Sequence, residues 1–288
     1  SAPEVRLDWR PFALIRGHVD LRAADIPAMT LARLPDLIAT PDAPLLPDLD
    51  IDIGRLQIGR LLVEPAVGGG RQVLTLEAGA RIADRRAQVT LDARALEGGV
   101  AGGDRVALVL DAVPDDRRLD IRLELAAPAD GLVAALAGVD QPLRLAVTGR
   151  GDWQAWEGRI EADLAGSELA RIALTARDGT FRLTGPARLS RLLEGQFAAL
   201  AGPVLDVDLG ARLASRVAEL SGGIAGESLR ARVAGKVDLG ENRAQDLRLG
   251  LDLLRPGKLL DGLSAQGLKA DLTLDGRFSD LRAGYVVA

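Results

Sequence analysis

The chain has 288 residues, 48% hydrophobic and 27% charged, with 36 Lys+Arg against 41 Asp+Glu for a net charge of −5. It has no Cys, 1 His, 3 Trp, 1 Tyr and 4 Phe. This composition excludes a disordered tail, a disulfide framework, a thiol nucleophile and a Cys- or His-rich metal centre, and it argues against a base-stacking or generally nucleic-acid-binding surface.

Residues 1–47 read as an irregular leading segment with a Pro-rich loop. Val5–Trp9 alternates briefly between apolar and charged residues. Ile26–Pro47 carries Pro27, Pro35, Pro41, Pro44 and Pro47, which predicts a short helix and a crossing loop.

From residue 48 to 288 a period of two dominates, predicting one continuous elongated β-groove. Leu49, Ile51 and Ile53 alternate with Asp48, Asp50 and Asp52. Next come Leu74 and Leu76, then Val89 and Leu91, then Val106, Leu108 and Leu110. Leu119, Ile121, Leu123 and Leu125 alternate with Asp120, Arg122 and Glu124. Leu143, Leu145 and Val147 follow, then Ile160 and Leu164, Ile172 and Leu174, Phe181 and Leu183. The last third has Leu205, Val207 and Leu209; Val233 and Val237; Leu247, Leu249, Leu251 and Leu253; and Leu268, Leu272 and Leu274. Successive strand side chains point to opposite faces, so each run has an apolar face and a charged one.

Gly98-Gly99, Pro114-Asp115-Asp116, Asp178-Gly179 and Asp275-Gly276 are turn signals at hairpin spacing. Three stretches with helical spacing, Pro128–Gly138, Pro186–Gly202 and Pro256–Gly262 (running to about residue 263), each begin at a Pro and end near a Gly. Leu143–Trp153 aligns with Leu268–Phe278 at an offset of 125, a weak internal repeat.

The predicted fold is therefore all-β with a few short helices: a long, repeat-like antiparallel β-meander. About 15 strands make a sheet roughly 70 Å long and 30 Å wide. Its apolar side must be covered. Either the sheet curls into an open apolar groove, a gutter, or the apolar faces meet as the core of a sandwich or sealed barrel. A groove lined by Leu, Val, Ile and Ala suits flexible acyl chains, each buried methylene contributing about 0.8 kcal/mol.

The passage Pro128–Gly138, Gln141–Trp153 and Gly158–Gly166, and the Leu189–Gly202 segment before Pro203–Leu209, resemble the TamB family of AsmA-like Gram-negative envelope proteins. The likeness runs more loosely over about residues 48–288. It implies a periplasmic segment of an inner-membrane-anchored protein. It also implies phospholipid transport between the two membranes, and a link to outer-membrane protein assembly through a TamA-like barrel that other parts of the parent chain would meet. The chain is accordingly expected to be an excised piece, with the anchor outside it.

No motif implies catalysis, a metal or a cofactor. Asp48–Asp52 starts like a calcium loop, but the sixth position is Ile53 and the twelfth Gly59. Gly149-x-Gly151 lacks the third Gly of a dinucleotide loop, and Gly257-Lys258 lacks the upstream Gly of a P-loop. Arg150-Gly151-Asp152 reads as a turn, His18 as a polar strand position, and Trp153 and Trp156 as local packing. Two further readings stay open: a scaffold that presents β edges to nascent outer-membrane proteins, and, more remotely, a carbohydrate-active or adhesive solenoid.

Overall fold

The structure is a computed structural model. It describes residues 4–16, 18–33, 50–65, 71–83, 86–97, 100–113, 118–152, 154–193, 195–214, 216–258, 267–277 and 280–287. The strands are β1 (Arg6–Trp9), β2 (His18–Ile26), β3 (Met29–Leu31), β4 (Asp50–Val63), β5 (Gln72–Ala83), β6 (Arg86–Glu97), β7 (Val100–Val113), β8 (Arg118–Ala127), β9 (Leu143–Gly151), β10 (Ala155–Leu164), β11 (Ser167–Arg177), β12 (Thr180–Ala187), β13 (Leu205–Ala214), β14 (Val217–Ala225), β15 (Leu229–Asp238), β16 (Arg243–Leu253), β17 (Leu268–Arg277) and β18 (Asp280–Val287). Two short α-helices, α1 (Leu132–Ala137) and α2 (Gly195–Ala201), interrupt them. The topology is one open, mainly antiparallel sheet of 18 strands. By compactness the chain divides into two units, β1–β9 in the first and β11–β18 in the second, with β10 contributing to both.

In the first unit β4 to β9 form an antiparallel meander. The leading segment departs from expectation. Residues 18–31 are not irregular: β2 and β3 join the sheet, both parallel to β4, with Val19 beside Ile51 and Leu31 beside Val63. Residues 34–49, which hold the rest of the predicted helix and loop, and Leu49 itself lie outside the described residues.

The physical reason lies in β4. Its sequence Ile51-Asp-Ile-Gly-Arg-Leu-Gln-Ile-Gly-Arg-Leu61 breaks the period of two twice, at Gly54-Arg55 and Gly59-Arg60. Each break is a register shift against β5 that absorbs one extra residue, so Ile53 and Leu56 stay on one face, as do Ile58 and Leu61. A Cβ on Gly54 would lie 2.7 Å from the Arg22 carbonyl oxygen of β2, so only glycine lets the parallel neighbour approach. Ile58, Leu61 and Val63 form a buried cluster with Ile26, Leu31, Leu56, Leu74, Leu76 and Leu132 packed around it.

Leu132 comes from α1, which is anchored by a buried carboxylate. Asp104, 3% exposed, accepts hydrogen bonds from the Leu132 N–H at 2.5 Å and the Val133 N–H at 3.2 Å. These are donors that a helix start leaves unpaired. A Cβ on Gly131 would meet the Asp104 carboxylate at 2.5 Å, which explains the glycine there. Asp104→Ala is expected to cost about 1–3 kcal/mol through loss of these bonds. A lower urea midpoint with an unchanged slope is the check.

In the second unit β11 to β18 run as an uninterrupted antiparallel meander. Asp178 and Gly179, with φ of 48° and 75°, make the predicted two-residue turn between β11 and β12. Asp275-Gly276 does not turn: both lie inside β17, which runs on to Arg277. The predicted helix Pro186–Gly202 starts later than its Pro. Pro186 is still in β12, paired with Asp206, and the insert holds a 3₁₀ turn, Leu189–Arg191, followed by α2. Of Pro256–Gly262, Pro256–Lys258 is a 3₁₀ turn, and the rest lies outside the described residues.

These inserts recur on a fixed count of strands. β9, β13 and β17 begin at Leu143, Leu205 and Leu268, spaced 62 and 63 residues, each four strands after the last and each following a helical insert. The offset of 125 read from the sequence is two such periods. The strand before each insert ends on a buried residue that pairs with the first residue after it: Ala127 with Leu143, Ala187 with Leu205, and Leu253 with Leu268.

Candidate functional site

The register places the predicted lining residues on one face within each unit. In the first, Ile51 and Ile82 share a face, followed across the strands by Val89 with Leu110, Leu91 with Leu108, Val106 with Leu125, Leu123 with Leu108 and Val147, and Leu145 with Leu125. In the second, Leu174 pairs with Leu183, Leu183 with Leu209, Val233 with Leu249, and Leu249 with Leu272. In β10, Trp156, Ile160 and Leu164 share a face by alternation, and Trp156 is buried. Following the paired positions, this front face carries no Lys or Arg among the described residues, and the buried Asp104 alternates onto it beside Val106, where it holds α1.

Its state of burial decides between the two expected architectures. In a sealed core these side chains are buried. Here the centres of the strands are not: Leu119, Ile121, Leu123 and Leu125 of β8 are half-buried, as are Val207, Leu209, Val233, Val237, Leu247 and Leu249. Phe181 and Leu251 are exposed. Of the predicted lining, Leu164, Ile172, Leu205 and Leu253 are buried, and Leu164, Leu205 and Leu253 sit at strand ends on the insert side. In each unit the front face is thus an open apolar trough, buried along the margin where the helical inserts lie.

Sequence reasoning missed part of the lining. Leu56, Ile58, Leu61 and Val63 of β4, and Val19, Leu21 and Ile26 of β2, belong to the same face. The signal was present in the twice-repeated Gly-Arg that marks the two bulges. Leu220 and Ile224 of β14 were also missed, because glycines dilute the alternation there.

The opposite face is charged and knitted by cross-strand ion pairs. Arg182 donates to both carboxylate oxygens of Asp208, at 2.9 and 2.7 Å. That bond holds the Asp208 carboxyl below its ordinary range and raises the Arg182 guanidinium. Glu168 is likewise held low, first by the hydrogen bond from Arg188 and then by neighbouring Arg171. A lowered carboxylate stabilises the fold above its unfolded pKa of about 4, and that contribution disappears as pH falls through the folded value. The melting-temperature gap between wild type and Asp208→Asn is therefore expected to shrink from about pH 6 down to about pH 3. Depressions on this face, such as one of 490 Å³ lined by Arg212, Glu219, Lys236 and Gln245, lie on ladders of alternating charge. Cross-strand pairing accounts for that arrangement.

His18 pairs in register with Asp50, its Nδ1 lying 3.8 Å from the carboxylate, and Asp52 stands beside Asp20 and Arg81. Among the described residues no three His, Asp or Glu side chains come together as a metal site. No helix of the described residues is long and apolar enough to cross a membrane. Trp153 lies outside the described residues. No protein-family model matches the chain, and no curated protein or solved structure matches it either.

Proposed function

We propose that the chain is a lipid-conducting segment of the TamB type, a periplasmic trough that holds phospholipid acyl chains while their head groups stay in water. The observation that carries this reading is the apolar, half-buried front face at the strand centres. Its aliphatic side chains are too open to be a finished core and too extensive to be left to water. Their smoothness suits a ligand that must slide: aliphatic walls offer methylene burial without directional bonds that would fix one lipid in place. Anchorage in the inner membrane, and contact with a TamA-like outer-membrane barrel, would belong to other parts of the parent chain. Chemistry at a cofactor is not needed for such a role.

Native mass spectrometry of protein purified without detergent tests it. Bound lipid that exchanges with added phospholipid is the expected result. A lipid-free chain that takes up no phospholipid would refute it.

The alternative role, a scaffold that presents β edges to nascent outer-membrane proteins, would act by strand addition. Photo-crosslinks from Tyr285 to nascent outer-membrane protein, with none from Leu249 to lipid, would favour that role over conduction.

A further inference from the structure

Across the ladder of β11–β18 the charges of the back face meet opposite charges or neutral groups, with one exception. Among the described pairs of this unit, only Arg243 of β16 and Arg277 of β17 set like charges directly opposite each other. Such a pair is destabilising unless a negative group lies between the two. The first unit shows that solution: Arg94 and Arg105 are also opposite, and Asp92 serves both, at 2.7 and 3.9 Å.

No described carboxylate does the same for Arg243 and Arg277 together. Asp275 is engaged elsewhere: its Oδ1 lies 3.7 Å from Arg243, and its Oδ2 accepts the Asp246 N–H at 3.4 Å. Asp238, opposite Arg243 on β15, accepts the N–H groups of Gly240 and Glu241, both at 2.9 Å. Arg282 of β18 stands opposite Asp275, on the diagonal from Arg277. Neither Arg277 nor Arg282 has an ion-pair partner among the described residues. Arg243, Arg277 and Arg282 are exposed, and with Asp275 and Gly276 they line one depression of 230 Å³. Asp280 stands opposite Arg277 in the ladder, and with it counted the guanidiniums still outnumber the carboxylates by three to two.

We propose that this depression binds a phosphate group, which bridges Arg277 and Arg282 and removes the repulsion between Arg277 and Arg243. Guanidiniums on three adjacent strands present forked N–H donors, the geometry that suits a tetrahedral oxyanion. Asp275 adds selectivity: its carboxylate repels every anion, so only one that gains several hydrogen bonds is held. Free phosphate and a phospholipid head group share this chemistry. The site lies on the face opposite the trough, so it stands whether or not the trough carries lipid.

Isothermal titration calorimetry of the 288-residue chain at constant ionic strength tests it. The probes are inorganic phosphate and glycerophosphoglycerol, the water-soluble head portion of phosphatidylglycerol. Saturable binding of at least one is expected. Arg277→Gln/Arg282→Gln should weaken it about tenfold or more, because two charge-assisted hydrogen bonds are lost. Asp275→Asn should tighten it, because a like charge leaves the site, and a damaged fold would not produce that gain. All these variants alter exposed side chains, and a circular dichroism melt no lower than that of wild type in phosphate-free buffer verifies the fold. The bound probe should raise the melting temperature of wild type and leave that of the double variant unchanged. Inorganic phosphate bound more tightly than the ester assigns the site to free phosphate, and the reverse order assigns it to a head group. A chain that binds neither probe overturns the proposal. So does a double variant that binds like wild type, or an Asp275→Asn variant that binds more weakly.

Discussion

Leu249→Asp is expected to remove acyl-chain binding by the second unit while leaving its strands paired. Leu249 stands mid-strand on the front face, between Val233 of β15 and Leu272 of β17, and is half-buried. A chain of about 16 carbons, fully buried, gains on the order of 12 kcal/mol at 0.8 kcal/mol per methylene. A carboxylate at that point keeps its hydration and breaks the continuity of the apolar wall, because an apolar ligand offers it no hydrogen bond. The affinity for a fluorescent acyl probe should fall at least tenfold. Leu123→Asp, between Leu108 and Val147, should act alike in the first unit. Arg248→Ala is the control: it changes the adjacent residue, which points to the charged face. If the Arg248 variant weakens binding as much as Leu249→Asp does, the front face is not where the chain is held.

Gly222→Val is expected to destabilise the second unit severely. Gly222 sits inside β14 with φ of 116°, in the region that L side chains rarely adopt, and a Cβ there would lie 2.1 Å from the Asp208 carbonyl oxygen of β13. Backbone strain and overpacking each cost roughly 1–3 kcal/mol. Together they should cost about 3–5 kcal/mol, a large share of a domain's total stability. Thermal unfolding by circular dichroism reads this directly. Gly284→Ala in β18, where a Cβ meets nothing within 4 Å, should stay within about 0.5 kcal/mol of wild type.

The strands and their faces were legible because burial on one side alone imposes a strict period of two. Leu119–Leu125 states its geometry in four residues, and the structure places those leucines and Ile121 as the alternation requires. Legibility failed where a bulge shifts the phase. At Gly54-Arg55 and Gly59-Arg60 the extra residues hide the best-buried part of β4 from any count by twos. Composition also misled. The prolines after Ile26 mark the leading segment as irregular, although the alternation of Val19 and Leu21 makes His18 a polar strand position of what is β2. Pro186 looked like a helix start, although a strand that pairs through other residues accommodates it. Asp275-Gly276 has turn chemistry, but Gly276, at φ of 114°, continues the strand. Whether the trough is open or sealed was not legible at all, because half-burial and full burial select the same residue types.

The spacing of inserts every four strands carries a consequence for how such a chain changes length. Four is even, so after each set the chain returns to the same margin travelling in the same direction, and the next Leu begins where the last one did. Duplicating one set of about 62 residues would add four strands, about 19 Å of sheet at 4.8 Å per strand, without turning any side chain to the wrong face. Loss of a single strand would reverse every strand beyond it and send the following inserts to the opposite margin. Length is free to vary in whole sets, and reach becomes a matter of copy number.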